Sequence, residues 1–177
     1  MRNRVPTGFL AHAIAIAAAM PLCAAVGAPI EEATGDACKL LTAAQVSAAL
    51  GVAVDEGDYS IPGHTQFCVW REKGKESGIA QNVQIHYLTG RQFELPKTGP
   101  YAKGSEAGLG DEAYWALTPG IGFTLSIKKG STYIRVQSRP IPGGMARRSD
   151  TPADKEKWQE KEKTVEKAIA AEVLKKL

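Results

Sequence analysis

Past the first 28 positions, the residues that could do chemistry are few: Cys38, Cys68, His64, His86 and the acidic pair Asp111–Glu112. Cys38 and Cys68 form an even pair once the leader is set aside, and in an exported chain such a pair reads as a disulfide. Closing that loop would stabilise the fold by roughly 3–4 kcal/mol on a chain-entropy argument. A zinc site is the alternative, with Cys38, Cys68, His64 and His86 as two sulfurs and two nitrogens. Zinc ligands usually come in tight pairs, and only His64–Cys68 has such spacing. A redox pair would show as C-x-x-C, which is absent here. A hydrolase using His64 or His86 with Asp111 is the second alternative, because triads assemble in space. No G-x-S-x-G elbow accompanies it. Asp111 and Glu112 are neighbours in an expected strand and so face opposite ways, which makes them a poor acid–base pair. No catalytic set, cofactor or metal site is assigned.

The glycines of "GLGDEAYW" would cradle phosphate only if a helix followed. The residues after them read as a strand, so a tight turn at positive φ is expected instead. Four aromatics, Tyr87, Tyr101, Trp115 and Tyr133, are candidates to line a ligand groove or to pack on a sheet. Arg147 and Arg148, with Arg139 and Lys128–Lys129, offer a basic patch for an anionic surface. Trp158 stands alone among charges, as an interface anchor would; folding back onto its own domain is the alternative and the preferred expectation. The candidate binding residues are therefore Tyr101, Trp115, Arg147, Arg148 and Trp158.

These side chains need elements to hold them. Residues 1–28 read as a signal peptide: Arg2 and Arg4, then an apolar stretch from Phe9 to Leu22, then "CAAVGA" with cleavage sites after Ala25 or Gly27. An uncleaved anchor is the rival. Lipidation at Cys23 is disfavoured because bulky Leu22 precedes it. Losing the leader removes two arginines and no acid, taking the net charge from +3 to +1. Such a chain has no global field for nucleic acid. Residues 29–177 suit one domain, with no further membrane span. Thr42 and Gln45 form a capping box, Val46, Ala49 and Leu50 an inward face, and Gly51 a stop, so a short helix is expected. Strands are expected over Gln66–Glu72 and Ile79–Leu88 as a hairpin, then over Asp111–Leu117, Phe123–Lys128 and Thr132–Ser138 as a meander. Val52–Gly63 reads as turns and Pro96–Gly110 as one long loop. A helix over about 152–177 opens with Thr151, Pro152 and Asp154. Its stripe of Val165, Ile169, Val173 and Leu177, with Ala168 and Leu174 alongside, should dock on the sheet. Glu162 and Glu166 are expected to pair with neighbouring charges within the helix.

"CKLLTAAQVSAALG", "CVW", "GLGDEAYW" and "IKKGSTYIRV" resemble a group of small exported bacterial envelope proteins and lipoproteins of unassigned function. Their pattern runs C-x-L-L-T, C-x-W, G-L-G-D-x-A-Y and a strand pair, here covering most of Cys38 to Ser138. The resemblance implies an α+β domain with a disulfide and no assigned enzyme activity. The chain departs from the group in its poor lipidation signal and its long, charged C-terminal helix. The expectation is an α+β fold: a curved antiparallel sheet of about five strands, a short N-terminal helix, a long C-terminal helix and one disulfide. The expected role is a periplasmic or secreted binding module whose partner is an envelope protein or a small ligand.

Overall fold

The computed structural model describes residues 33–76, 78–118, 122–141 and 151–177. The leader, Cys23, Arg147 and Arg148 lie outside the described residues. A 3-10 turn at Ala37–Lys39 leads into α1, Ala43–Leu50, where the Thr42 hydroxyl accepts from the Gln45 N–H and Gly51 ends the helix at φ 80°. Then follow β1 (Asp58–Tyr59), β2 (Phe67–Arg71), β3 (Asn82–Leu88) and a five-residue helix, α2 (Gly90–Glu94). A second 3-10 turn, Leu95–Thr98, precedes β4 (Ala102–Ser105), β5 (Glu112–Thr118), β6 (Gly122–Lys129), β7 (Thr132–Arg139) and α3 (Pro152–Leu174).

The α+β class, the β2–β3 hairpin, the β5–β6–β7 meander and both expected helices are present, but the sheet has seven strands rather than about five, in the order β1-β2-β3-β7-β6-β5-β4. The two additions are short edge strands inside segments that read as loops. β1 pairs with β2 through Asp58 and Tyr59, and β4 pairs with β5 across a bulge between Ala102 and Gly104. Neither has the alternation of apolar residues that marks a strand in sequence, because an edge strand is held by its neighbour's backbone. The hairpin and the meander join where β3 runs antiparallel to β7 from Asn82–Arg139 to Leu88–Tyr133.

One face of this sheet carries the core: Trp70, Val83, Ile85, Trp115, Leu125, Ile134 and Val136 are buried against α1 and α3. Cys38 and Cys68 are joined, with Cα atoms 5.0 Å apart, so the entry to α1 is tied to β2. Both sulfurs are thereby consumed, which removes the thiolate ligands that the zinc alternative needs. Val165, Ile169, Ala170 and Val173 of α3 are buried as the apolar stripe requires, whereas Ala168 is exposed and Leu177 lies 42% exposed past the helix end.

The correction on α3 concerns its acids. Glu162 and Glu166 are not surface charges. They are buried, Glu166 completely, in the gap where β6 and β7 separate. The β6–β7 pairing stops at Leu125–Val136, leaving the Phe123 and Ser138 N–H groups beyond it without a partner in the facing strand. Glu166 Oε1 accepts from the Ser138 N–H at 2.8 Å and Glu162 Oε2 from the Phe123 N–H at 3.3 Å. Gly122, at φ 98°, makes room for this approach, since a Cβ there would stand 3.0 Å from Glu162 Oε1. Burial raises the pKa of Glu166 well above 4.5, the adjacent Glu162 pushes it further, and the backbone donors oppose both. Glu162 is raised too, first by burial, against the Phe123 N–H and the charge of Arg139.

Replacing both cysteines by alanine should cost roughly 3–4 kcal/mol in urea unfolding. For Glu166 the folded pKa exceeds the unfolded one, so above 4.5 the unfolded chain loses its proton first and stability falls as pH rises toward the folded value. Glu166→Gln keeps the acceptor and should flatten that slope. Glu166→Ala strands the buried Ser138 donors and should cost roughly 1–3 kcal/mol. Denaturant titrations across pH measure both.

Candidate functional site

The second face of the sheet is left uncovered by α1 and α3, and its side chains differ in kind. Along β7 it presents Tyr133, Arg135, Gln137 and Arg139. Along β3 it presents Gln84 and His86, and along β6 Thr124 and Ser126. What lies on this face is a clamp. Thr89 caps α2 and forms a capping box with Gln92. Phe93 is then buried with its ring 5.2 Å from both the Tyr114 and Tyr133 rings. The Tyr114 hydroxyl donates to the Phe93 carbonyl at 2.6 Å. Lys97 stands 4.2 Å over the Phe93 ring and pairs with Glu94 at 2.9 Å and Glu112 at 2.6 Å. Together these contacts fasten the Leu95–Thr98 turn across the meander.

The clamp creates a groove of about 330 Å³. Leu95, Pro96, Gly99 and Tyr101 form one wall, and Ala116, Thr124, Ser126, Arg135 and Gln137 form the floor. Leu95 and Tyr101 are 68% and 47% exposed and stand at its lip. The volume falls in the range of small-molecule sites, which are concave and largely apolar with a few polar groups. Arg135 is the charged residue of the lining. Its Nε is buried and makes no hydrogen bond, and its Nη2 has a long 3.5 Å contact with the Gln92 carbonyl. No carboxylate pairs with it among the described residues. Beside it, opposite on β3, His86 has its pKa lowered from 6.5, by burial first and then by the Arg135 charge.

Of the candidate binding residues read from sequence, Tyr101 lies at the groove. Trp115 does not: it is buried in the core on the other face, its Nε1 donating to Glu106 Oε2 at 2.7 Å, and Glu106 in turn pairs with Lys167 of α3. Its position in β5 decides this, since strand neighbours alternate and Tyr114 took the open face. Trp158 is half-buried on α3, with Lys157 Nζ 5.6 Å from its ring centroid. Pro96–Gly110, expected as one loop, supplies both a groove wall and β4.

His64 and His86 do come together, around an open cleft of about 430 Å³ with Gln66, Thr89 and Gln92. Asp111 is not there. It accepts from the Gly130 N–H at 2.6 Å, lies 3.9 Å from Lys129, and its own N–H donates to the Lys128 carbonyl. β3 and β5 are three strand spacings apart, about 14 Å, so Asp111 and His86 are beyond hydrogen-bond reach. "GLGD" is a turn that latches onto the β6–β7 hairpin. At Gly110, φ 65°, a Cβ would sit 2.3 Å from the Lys128 carbonyl oxygen.

Sequence reasoning missed Arg135 and the α2 clamp. Thr89-x-x-Gln92 repeats the box that announced α1, and was the available signal. No protein-family model, curated protein or solved structure matches the chain. Among the described residues no helix is long and apolar enough to cross a membrane, and no group of three or more His, Cys, Asp or Glu side chains could hold a metal.

Arg135→Gln should raise the His86 pKa toward 6.5 without reaching it, because burial is the larger cause and persists. Imidazole proton shifts followed against pH measure this.

Proposed function

We propose that the chain is an exported, disulfide-stapled binding module of the cell envelope that holds a small ligand on the open face of its sheet. The observation that carries this is the groove: a concave site whose apolar lip and polar floor are fixed by the Phe93–Lys97 clamp and whose arginine has no acidic partner among the described residues. The leader-like first 28 residues and the Cys38–Cys68 bond support export. The resemblance to exported envelope proteins supports the same compartment. A non-enzymatic role agrees with the placement of Asp111, which is engaged at a turn far from both histidines.

Two measurements test this. Amide spectra of the oxidised protein, recorded against a panel of small fragments of either charge or none, should show shifts that cluster at Leu95–Tyr101, Ala116 and Arg135. Shifts scattered elsewhere, or none with any fragment, would remove the groove from the account. Protein recovered from the periplasmic fraction should show no free sulfhydryl at positions 38 and 68 after denaturation. Two reactive thiols there would overturn the export reading.

A further inference from the structure

We propose that the groove takes a small organic monocarboxylate with a short apolar body, anchored by Arg135; this rests on the reading of the groove as the ligand surface. The charge follows from a contrast between two cations fixed on the same sheet face. Lys97 is flanked by two carboxylates, Glu94 and Glu112, and is neutralised within the fold. Arg135 has none among the described residues, its Nε is buried with no partner, and its Nη2 has one long contact; the Arg139 Nε is buried unpartnered too, but Arg139 does not line the groove and lies in the field of Glu162. A guanidinium held in a concave site with donors unspent matches a carboxylate, whose two oxygens meet its planar fork. One positive charge on the lining calls for one negative charge on the ligand. Thr124 and Ser126 add hydroxyls to the floor beside it.

The apolar body follows from the opposite wall. Leu95 and Tyr101, two of the exposed large hydrophobic side chains of the described chain, flank this one groove along with Pro96. The volume of about 330 Å³ equals that of about 11 waters, so a ligand of roughly ten non-hydrogen atoms fits. His86 supplies a reporter. It lies across the β3–β7 pair from Arg135 and feels its charge, so an anion seated on Arg135 should raise its pKa. By linkage the anion should bind more tightly as pH falls through that pKa.

The test titrates the oxidised protein with octanoate, octanol, octylammonium and octyl phosphate, following amide shifts and the His86 imidazole. Octanoate should bind about tenfold or more tightly than octanol, the value of one charge-assisted contact. It should also raise the His86 pKa, and octylammonium should not compete. Arg135→Gln should abolish the advantage over octanol, and Arg135→Lys, which keeps the charge but loses the fork, should retain part of it. Equal binding of octanoate and octanol in the groove would overturn the anion assignment and leave the groove standing. Tighter binding of octyl phosphate would overturn the monocarboxylate class alone. Absence of groove shifts with every probe would overturn the ligand surface itself. The wild-type comparison needs no variant to fold.

Discussion

Where β6 and β7 part, the backbone donors of Phe123 and Ser138 would face an apolar interior with nothing to bond. Buried N–H groups left so are costly, and native structures almost always pair them. Here two glutamates on a helix take the place of the missing strand, Glu166 at Ser138 and Glu162 at Phe123. That choice fixes the depth and rotation of α3, since both carboxyl groups must reach the gap. With α3 so placed, Val165, Ile169 and Val173 cover the meander and Gln45 of α1 reaches Glu172 at 2.8 Å. The disulfide completes the layer by holding the α1 entry against β2. Burial first, and then the charge of Glu162, shift Glu166 toward its neutral form, while the Ser138 donors oppose that shift.

Using both main helices on one face has a consequence for the other. Seven strands offer two surfaces, and α1 and α3 dry only one of them. An antiparallel sheet tolerates this when its second face is polar, and the alternation along β3, β6 and β7 supplies such a face. The apolar cluster found there among the described residues, Leu88, Phe93, Tyr114 and Ala116, is built by the α2 clamp. The clamp covers one part of the face and leaves a groove at its edge, so the same contacts that stabilise the turn also shape the concavity.

Much of this was legible in the sequence, for stated reasons. Alternation in β3, β6 and β7 predicted their faces, because each has a dry side; β2, with Cys68, Val69 and Trp70 all buried, carries no such alternation. The capping box at Thr42 marked α1, and the Thr151, Pro152 and Asp154 start marked α3. The failures share a cause: they are places where backbone partners or tertiary gaps decide. β1 and β4 are strands by virtue of β2 and β5. Glu162 and Glu166 fall on the α3 stripe at the spacing of Val165, Ile169 and Val173, so position alone placed them inward. Residue type argued the opposite, and no local rule announces an unpaired N–H some 40 positions away. Trp115 misled in the reverse direction, since an aromatic in a strand has no preferred face until its neighbours are known.

Arg135 was invisible for a subtler reason. On an exposed sheet face a cation is ordinary, and nothing in "TYIRVQS" separates it from Lys128 or Arg139. Its distinction is relational. Arg139 sits in the field of Glu162, Lys97 between two acids, and Lys129 near Asp111. Arg135 has Phe93, Tyr133 and His86 around its strand position, and His86 is biased toward its neutral form. A fold selected only for stability gains little from a half-buried guanidinium whose Nε bonds to nothing, because desolvation without a partner is unfavourable. An anion arriving in the groove would supply that partner, and the stability the free protein forgoes at Arg135 would reappear as affinity for the ligand.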